Sequence, residues 1–348
     1  MTRKPHDGDL RYPFPEPPQK KGAIEIADGV LWIRLPLPFA LDHINIFLID
    51  DGDGWAVLDT GIADRVTKEL WSFLIAGRLG GRKLTRLIAT HYHPDHIGLA
   101  GWFAESHGLP LITTLSTYLQ CATIALRPGG LDAKPYRDFY FRNGLTDEVT
   151  GLLSTQGHGY MSMVTPLPPT FERIVAGDIL KIGGRTFEVL TGDGHAPEQA
   201  MLYCADEKLF FGADQVLDKI SPNIAVWAIE PNGDPLGLFL RSLDQLKARL
   251  PEDVLVMPSH HMPFVGLGVR ADQLAAHHKR RCAILLRAAR KPKSAAQLVP
   301  TLFSRKLDAH EMSFAFSEVL AHVNYLLRQG RLAWAEPEDG VERVIASH

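Results

Sequence analysis

THYHPDHIG, Thr90 to Gly98, places three histidines and an aspartate within the six positions from His91 to His96. His91, His93, Asp95 and His96 spell H-x-H-x-D-H. In a tight loop, alternating residues converge on one point while the remaining ones aim at a second, so one segment can seed two metal sites. Pro94 stiffens the turn and Gly98 frees its exit. The loop follows LTRLIAT, a short apolar run that predicts a strand, so its side chains fall at the C-terminal edge of a sheet, where open α/β folds place their sites.

Working outward, AIEIADGVLWIRL from Ala23, HINIFLID, the turn DGDG at Asp51 to Gly54, and WAVLDTG predict antiparallel pairs. Asp64 offers an N-cap for a helix through Leu74. GLAGWFAES predicts the helix behind the histidine loop, LPLITT the next strand, and Ser116 to Leu126 another helix. Between about residues 128 and 170 the pattern loosens into a glycine-, proline- and aromatic-rich insert, which is expected to cap the site. Strand patterns resume in FERIV, DILKIGGRTFEVLTG and AMLYCADEKLFFGAD, then PLGLFLRSLDQLKARL predicts an amphipathic helix and DVLVMPSHH a last strand.

The expected division is a leader over residues 1–22, a layered α/β domain over 23–268, and a module over 269–348. That module reads as helices followed by a hairpin around Asp339-Gly340, the outline of a small winged helix. Its mixed charges favour docking or homodimerisation over DNA reading. A net charge of -3 in 348 residues gives no reason to expect nucleic acid as partner. Cys121, Cys204 and Cys282 show no CxxC spacing, and no run reaches the length of a membrane span, so a soluble cytoplasmic protein is expected.

Three more residues share the context of the histidine loop: His195 in TGDGHAPEQ, Asp214 in FFGADQVL and His260 in VMPSHHMPF. Each follows a predicted strand and sits beside glycine or proline, where a side chain can project over the sheet edge. His107, His158, His277, His278, His310 and His322 lack that context and are read as surface or packing residues.

Together these residues resemble the metallo-β-lactamase fold hydrolases, whose pattern is H-x-H-x-D-H followed by a histidine, an aspartate and a histidine at successive strand ends. LDTG at Leu58 to Gly61 is the usual upstream companion. The C-terminal module resembles the extension on one branch, which includes LACTB2-like proteins. The resemblance implies a four-layer αββα sandwich and a dinuclear centre. His91, His93 and His195 would hold one divalent ion, Asp95, His96 and His260 the other, and Asp214 would bridge them. Zinc suits this donor set best, with manganese or iron admissible. His261 stands where relatives commonly carry glycine, which leaves His260 and His261 as alternatives for the last ligand.

The chemistry implied is hydrolysis by a metal-activated hydroxide, with Asp95 able to shuttle a proton and Asp59 accepting hydrogen bonds from the histidine loop. Tyr118, Tyr136, Arg137, Tyr140 and Tyr160 are the substrate-contact candidates, although packing is the commoner role for such aromatics. Three functions follow: a hydrolase of a small ester, thioester or lactone, a LACTB2-like phosphodiesterase or ribonuclease, and a metal-holding binding protein without catalysis.

Overall fold

Starting near Ala23, β1 (Ile24–Ala27), β2 (Val30–Pro36), β3 (His43–Asp50) and β4 (Gly54–Leu58) pair antiparallel in succession. β5 (Lys83–Ile88), β6 (Leu111–Thr113) and β7 (Glu172–Arg173) then extend this sheet in parallel to seven strands. A second sheet of six contains β8 (Ile179–Ile182), β9 (Arg185–Gly192), β10 (Gln199–Cys204), β11 (Leu209–Ala213), β12 (Leu255–Pro258) and β13 (Phe264–Val265). Here β11 and β12 run parallel and the other neighbours antiparallel. The structure, a computed structural model, describes residues 10–126 and 133–347, except for the side chains at 78, 152, 154–158, 309 and 310.

Alternation at period two assigns each strand residue to one of two cores. Ile44, Ile46 and Leu48 of β3, with Trp55 and Val57 of β4, face helices: Leu70 and Trp71 of α1 (Arg65–Phe73) and, beyond α2 (Pro94–Ile97), Phe103 of α3 (Ala100–His107) and Cys121 of α4 (Leu115–Leu126). Phe47 and Ile49 of β3, with Ala56 and Leu58 of β4, face the second sheet. There the ring of Phe47 meets Phe211 at 5.3 Å between centroids. Both faces of β3 are therefore dry, which is why HINIFLID reads as an almost unbroken apolar run. The leader is laid on this sandwich where it is described, since Arg11 bridges to Val265 and Phe14 sits 6.2 Å from Trp32. Residues 1–9 lie outside the described residues.

Contacts divide the chain into two compact units. The first comprises the described residues of Met1–Leu126, Tyr160–Pro222 and Leu246–Arg270, and includes both large sheets. The second comprises those of Arg127–Gly159, Asn223–Gln245 and Ala271–His348. The insert differs from its expected form: it is helical, as α5 (Lys134–Arg142) and α6 (Asp147–Met161), and its described residues up to Gly159 group with the C-terminal residues while those from Tyr160 on fall in the first unit. Pro135 stands in the first turn of α5, where a missing N–H removes no helix hydrogen bond. α7 (Pro235–Arg249) and α8 (Leu267–Ala288) cross the unit boundaries, and α9 (Ala295–Leu302), α10 (Ala309–Arg328), β14 (Leu332–Glu338) and β15 (Val341–Ala346) complete the second unit. Arg142 holds Glu342 at 3.1 Å, and the Asn143 carbonyl accepts from Ala296 N–H at 3.2 Å, which ties the insert to this unit. The three cysteines are buried and unpaired by disulfides. Among the described residues no helix is long and apolar enough to cross a membrane.

His278 and His322 pack inside the second unit, both fully buried, with Nδ1 of His278 at 3.1 Å from Nε2 of His322. Burial pushes His278 down to about 2 and His322 down to about 4 from the ordinary 6.5. The unfolded chain therefore takes up protons first as pH falls through 6.5, and stability drops by up to about 1.4 kcal/mol per pH unit for each ring. Above that value both rings are neutral in either state and contribute no pH dependence. Urea unfolding at pH 7.5, 6 and 5 is expected to show His322→Asn losing about 2 kcal/mol less than the wild type by pH 5.

Candidate metal centre

The histidine loop is shaped from beneath by the turn after β4. Asp59 has φ 65°, a left-handed backbone that few residues with a Cβ adopt. From there its carboxylate accepts from the Thr90 backbone N–H at 2.8 Å and the Thr90 hydroxyl at 2.9 Å, and its Oδ2 lies 2.8 Å from Nδ1 of His96. Thr60 N–H donates to the His96 carbonyl and Gly61 N–H to that of Asp95, each at 2.9 Å. LDTG and the histidine loop thus form one hydrogen-bonded body. Nδ1 of His96 carries the proton toward Asp59, which leaves Nε2 as a lone pair facing inward.

That lone pair has company. Nε2 of His91 and Nδ1 of His93 are 2.9 Å apart, and His195 joins them within 4.8 Å. Nε2 of His96 and Nε2 of His260 each lie 3.5 Å from Oδ2 of Asp95. Asp214 stands between the groups: its Oδ1 is 3.6 Å from His96 and 3.4 Å from His260, while its Oδ2 is 3.3 Å from His195. Ligands bound at 2.0–2.1 Å to one tetrahedral ion are separated by about 3.4 Å, so these spacings suit a cation.

Electrostatics point the same way. Asp59, Asp95 and Asp214 expose 3%, 19% and 9% of their side chains, and their ion pairs among the described residues are all with histidines. Buried carboxylates without a compensating cation are costly. Nε2 of His96 and Oδ1 of Asp214 are buried with no hydrogen-bond partner. Burial pushes His91 and His93 well below the ordinary 6.5, which keeps their lone pairs available. Burial opposes charge on His96 too, but Asp95, Asp59 and Asp214 prevail and hold it well above 6.5, so these carboxylates draw positive charge to Nε2, as a second proton that a metal ion would displace to use the lone pair. Asp214 is held well below 3.8, because His260 and His96 outweigh its burial. A separate group, His277, His278 and Glu318, offers a weaker case, since Arg281 already neutralises Glu318 at 2.5 Å.

Of the two adjacent histidines, His260 points into the cluster, with Nδ1 at 2.7 Å from the His43 carbonyl. His261 turns away, at φ 63° and half-buried. His43, Asn45 and Arg34, which hold this loop, went unnoticed in the sequence; a strand-initial Asp-His pair is the one local cue to His43, and burial pushes it down to about 4. The expected substrate contacts divide between the two units. Tyr118 OH donates to the Pro168 carbonyl at 2.9 Å, and Tyr160 OH to that of Tyr92, inside the histidine loop, at 2.6 Å. Tyr140 is buried beside Phe139 and Phe316 in the second unit, and Tyr136 and exposed Arg137 lie on α5 of that unit. His158 and His310 have side chains outside the described residues.

Residues 40–260 match the model of the metallo-beta-lactamase superfamily, and residues 282–346 that of a metallo-beta-lactamase-like C-terminal domain. The crystal structure of a beta-lactamase domain protein from Burkholderia ambifaria superposes with a TM-score of 0.89 at 38% identity, covering 97% of this chain and 98% of that one. The probable metallo-hydrolase YqjP of Bacillus subtilis is 23% identical over 86% of this chain and 92% of its own length. The human acyl-coenzyme A thioesterase MBLAC2 is 25% identical over 69% of this chain and 80% of its own.

Gly98 is where the loop has no room to spare. A Cβ there would lie 2.3 Å from the Pro94 carbonyl oxygen, 2.6 Å from that of Gly61 and 2.7 Å from that of Met163, all backbone atoms. Gly98→Ala is expected to cost about 3 kcal/mol in urea unfolding and to lower metal content, because the loop itself must move. Wild-type stability in that variant would contradict the packing described.

Proposed function

Because this chain belongs to the metallo-beta-lactamase superfamily, we propose that it is a metal-dependent hydrolase of a small acyl substrate, an ester, thioester or lactone. His91, His93 and His195 would hold one divalent ion, zinc first, and Asp95, His96 and His260 a second. The placement of Asp214 carries this reading, since its two oxygens face the two groups separately. When bound, such ions lower the pKa of a water and polarise a carbonyl.

The chain's own residues supply orientation and proton handling. Asp59 keeps the proton of His96 on Nδ1, and the His43 carbonyl does the same for His260. Asp95 is the more exposed of the two inward carboxylates, so its free oxygen is the one able to carry a proton between the site and solvent. The acyl substrate is supported by the similarity to a thioesterase and by a net charge of -3, which offers a phosphate backbone little attraction.

Turnover of the zinc- or manganese-loaded protein on parallel acyl thioesters, lactones, aryl esters and a phosphodiester tests the proposal. Salt-insensitive cleavage of one carbonyl class is expected. Cleavage of the phosphodiester alone would replace the reading with a nuclease. Asp214→Ala is expected to hold fewer than two metals per chain and to lose about 1000-fold in kcat/KM. Two tightly held metals in that variant would sink the bridging role.

A further inference from the structure

The loop that carries the last histidine is held by the start of β3. Asn45 N–H donates to the Ser259 carbonyl at 2.6 Å, and its side-chain amide donates to the carbonyls of Pro258 at 2.9 Å and His261 at 3.1 Å. Arg34 of β2 also donates to the His261 carbonyl, and its Nε donates to Oδ1 of Asn45 at 3.0 Å. His43 closes the set twice. Its carbonyl accepts from Nδ1 of His260 at 2.7 Å, and its Nε2 lies 2.8 Å from the His261 backbone nitrogen.

A backbone N–H can only donate, so Nε2 of His43 is the acceptor and its ring proton sits on Nδ1. That proton is donated to Oδ1 of Asp42 at 2.6 Å. The tautomer is therefore set from both sides. His261 needs such a hold because its φ of 63° is unfavourable for a residue with a Cβ. None of these hydrogen bonds reaches His91, His93 or His195.

We propose that His43 is a positioning residue for one metal of the pair: its Nε2 holds His261 in the left-handed turn and thereby aims His260 at the point it shares with Asp95 and His96. The inference rests on the two-metal reading given above. It also explains how a histidine can occupy a turn that glycine would adopt unaided.

The test is zinc titration of the full chain against a chelator, with cobalt absorption spectra to tell the two sites apart. His43→Asn leaves nothing at the Nε2 position and is expected to weaken one site by about 10- to 100-fold while the other keeps wild-type affinity. His43→Gln places its side-chain oxygen near that position and is expected to keep both. Adding His261→Gly to His43→Asn is expected to restore the weakened site. Equal affinities in His43→Asn, a uniform loss at both sites, or a defect that His261→Gly does not lift would overturn the proposal. Should His43→Asn not fold, His43→Gln and His261→Gly alone carry the test, and loss of one metal in either overturns it. A wild-type chain that binds fewer than two metals would defeat the two-metal reading instead.

Discussion

The contact on which the site depends is the buried carboxylate of Asp59 against the histidine loop. It satisfies the Thr90 N–H and hydroxyl and fixes the tautomer of His96, so one side chain decides both the path of the loop and the direction of a lone pair. A carboxylate can do this only when desolvated and fully used, because the same low dielectric that strengthens its bonds penalises any oxygen left unpaired. Its left-handed backbone is what turns the group back under the loop from the end of β4.

Strand directions explain why the remaining groups meet there. β4 and β5 are parallel, so Asp59 and His91 leave the first sheet at one edge, and β3, antiparallel to β4, begins at that edge with His43. In the second sheet β9 and β11 share a direction through the antiparallel β10, and β12 is parallel to β11, so His195, Asp214 and His260 emerge together. The bond from Asn45 N–H to the Ser259 carbonyl fastens one edge to the other. A hydrophobic interface between the sheets, Phe47 on Phe211 among others, holds the two edges in register without entering the chemistry.

What was legible in the sequence follows the range of the forces involved. H-x-H-x-D-H, the apolar run in HINIFLID and the glycine- or proline-flanked His195, Asp214 and His260 are local patterns, and the strands and the convergence they predict are present. The clamp of Arg34, His43 and Asn45 was not legible, because its partners lie 213 to 227 residues away and no periodicity records such a pairing. The insert was misread for a different reason. Glycines at 151, 157 and 159 lower intrinsic helix propensity, yet α6 forms across them, and Pro135 marks a helix start rather than a break. The hydroxyl of Tyr160, a substrate-contact candidate from sequence, donates to the Tyr92 carbonyl, a backbone partner that sequence cannot reveal.

Backbone strain gathers where the ligands do. Among the described residues, non-glycine residues with positive φ include Asp59 beneath His96, Glu198 three residues after His195, Ala213 immediately before Asp214 and His261 immediately after His260. Each such residue costs about 1 kcal/mol, and none would persist unless its surroundings over-determined it. The surroundings are identifiable in all four cases: Asp59 is held by Thr90 and His96 and by its N–H to the Ile88 carbonyl at 2.9 Å, Glu198 N–H is held by Asp193 at 2.8 Å, the Ala213 carbonyl accepts from Ser259 N–H at 3.1 Å, and His261 is gripped by Arg34, His43 and Asn45. A chain leaving a strand in the ordinary extended or right-handed conformation would carry its next side chain along the sheet. A left-handed residue reverses the path within one position and swings the neighbouring side chain over the edge. Four of the seven such residues among those described thus lie at or near the ligands, and the hydrogen bonds that hold them come from strands or from the turns that directly follow them.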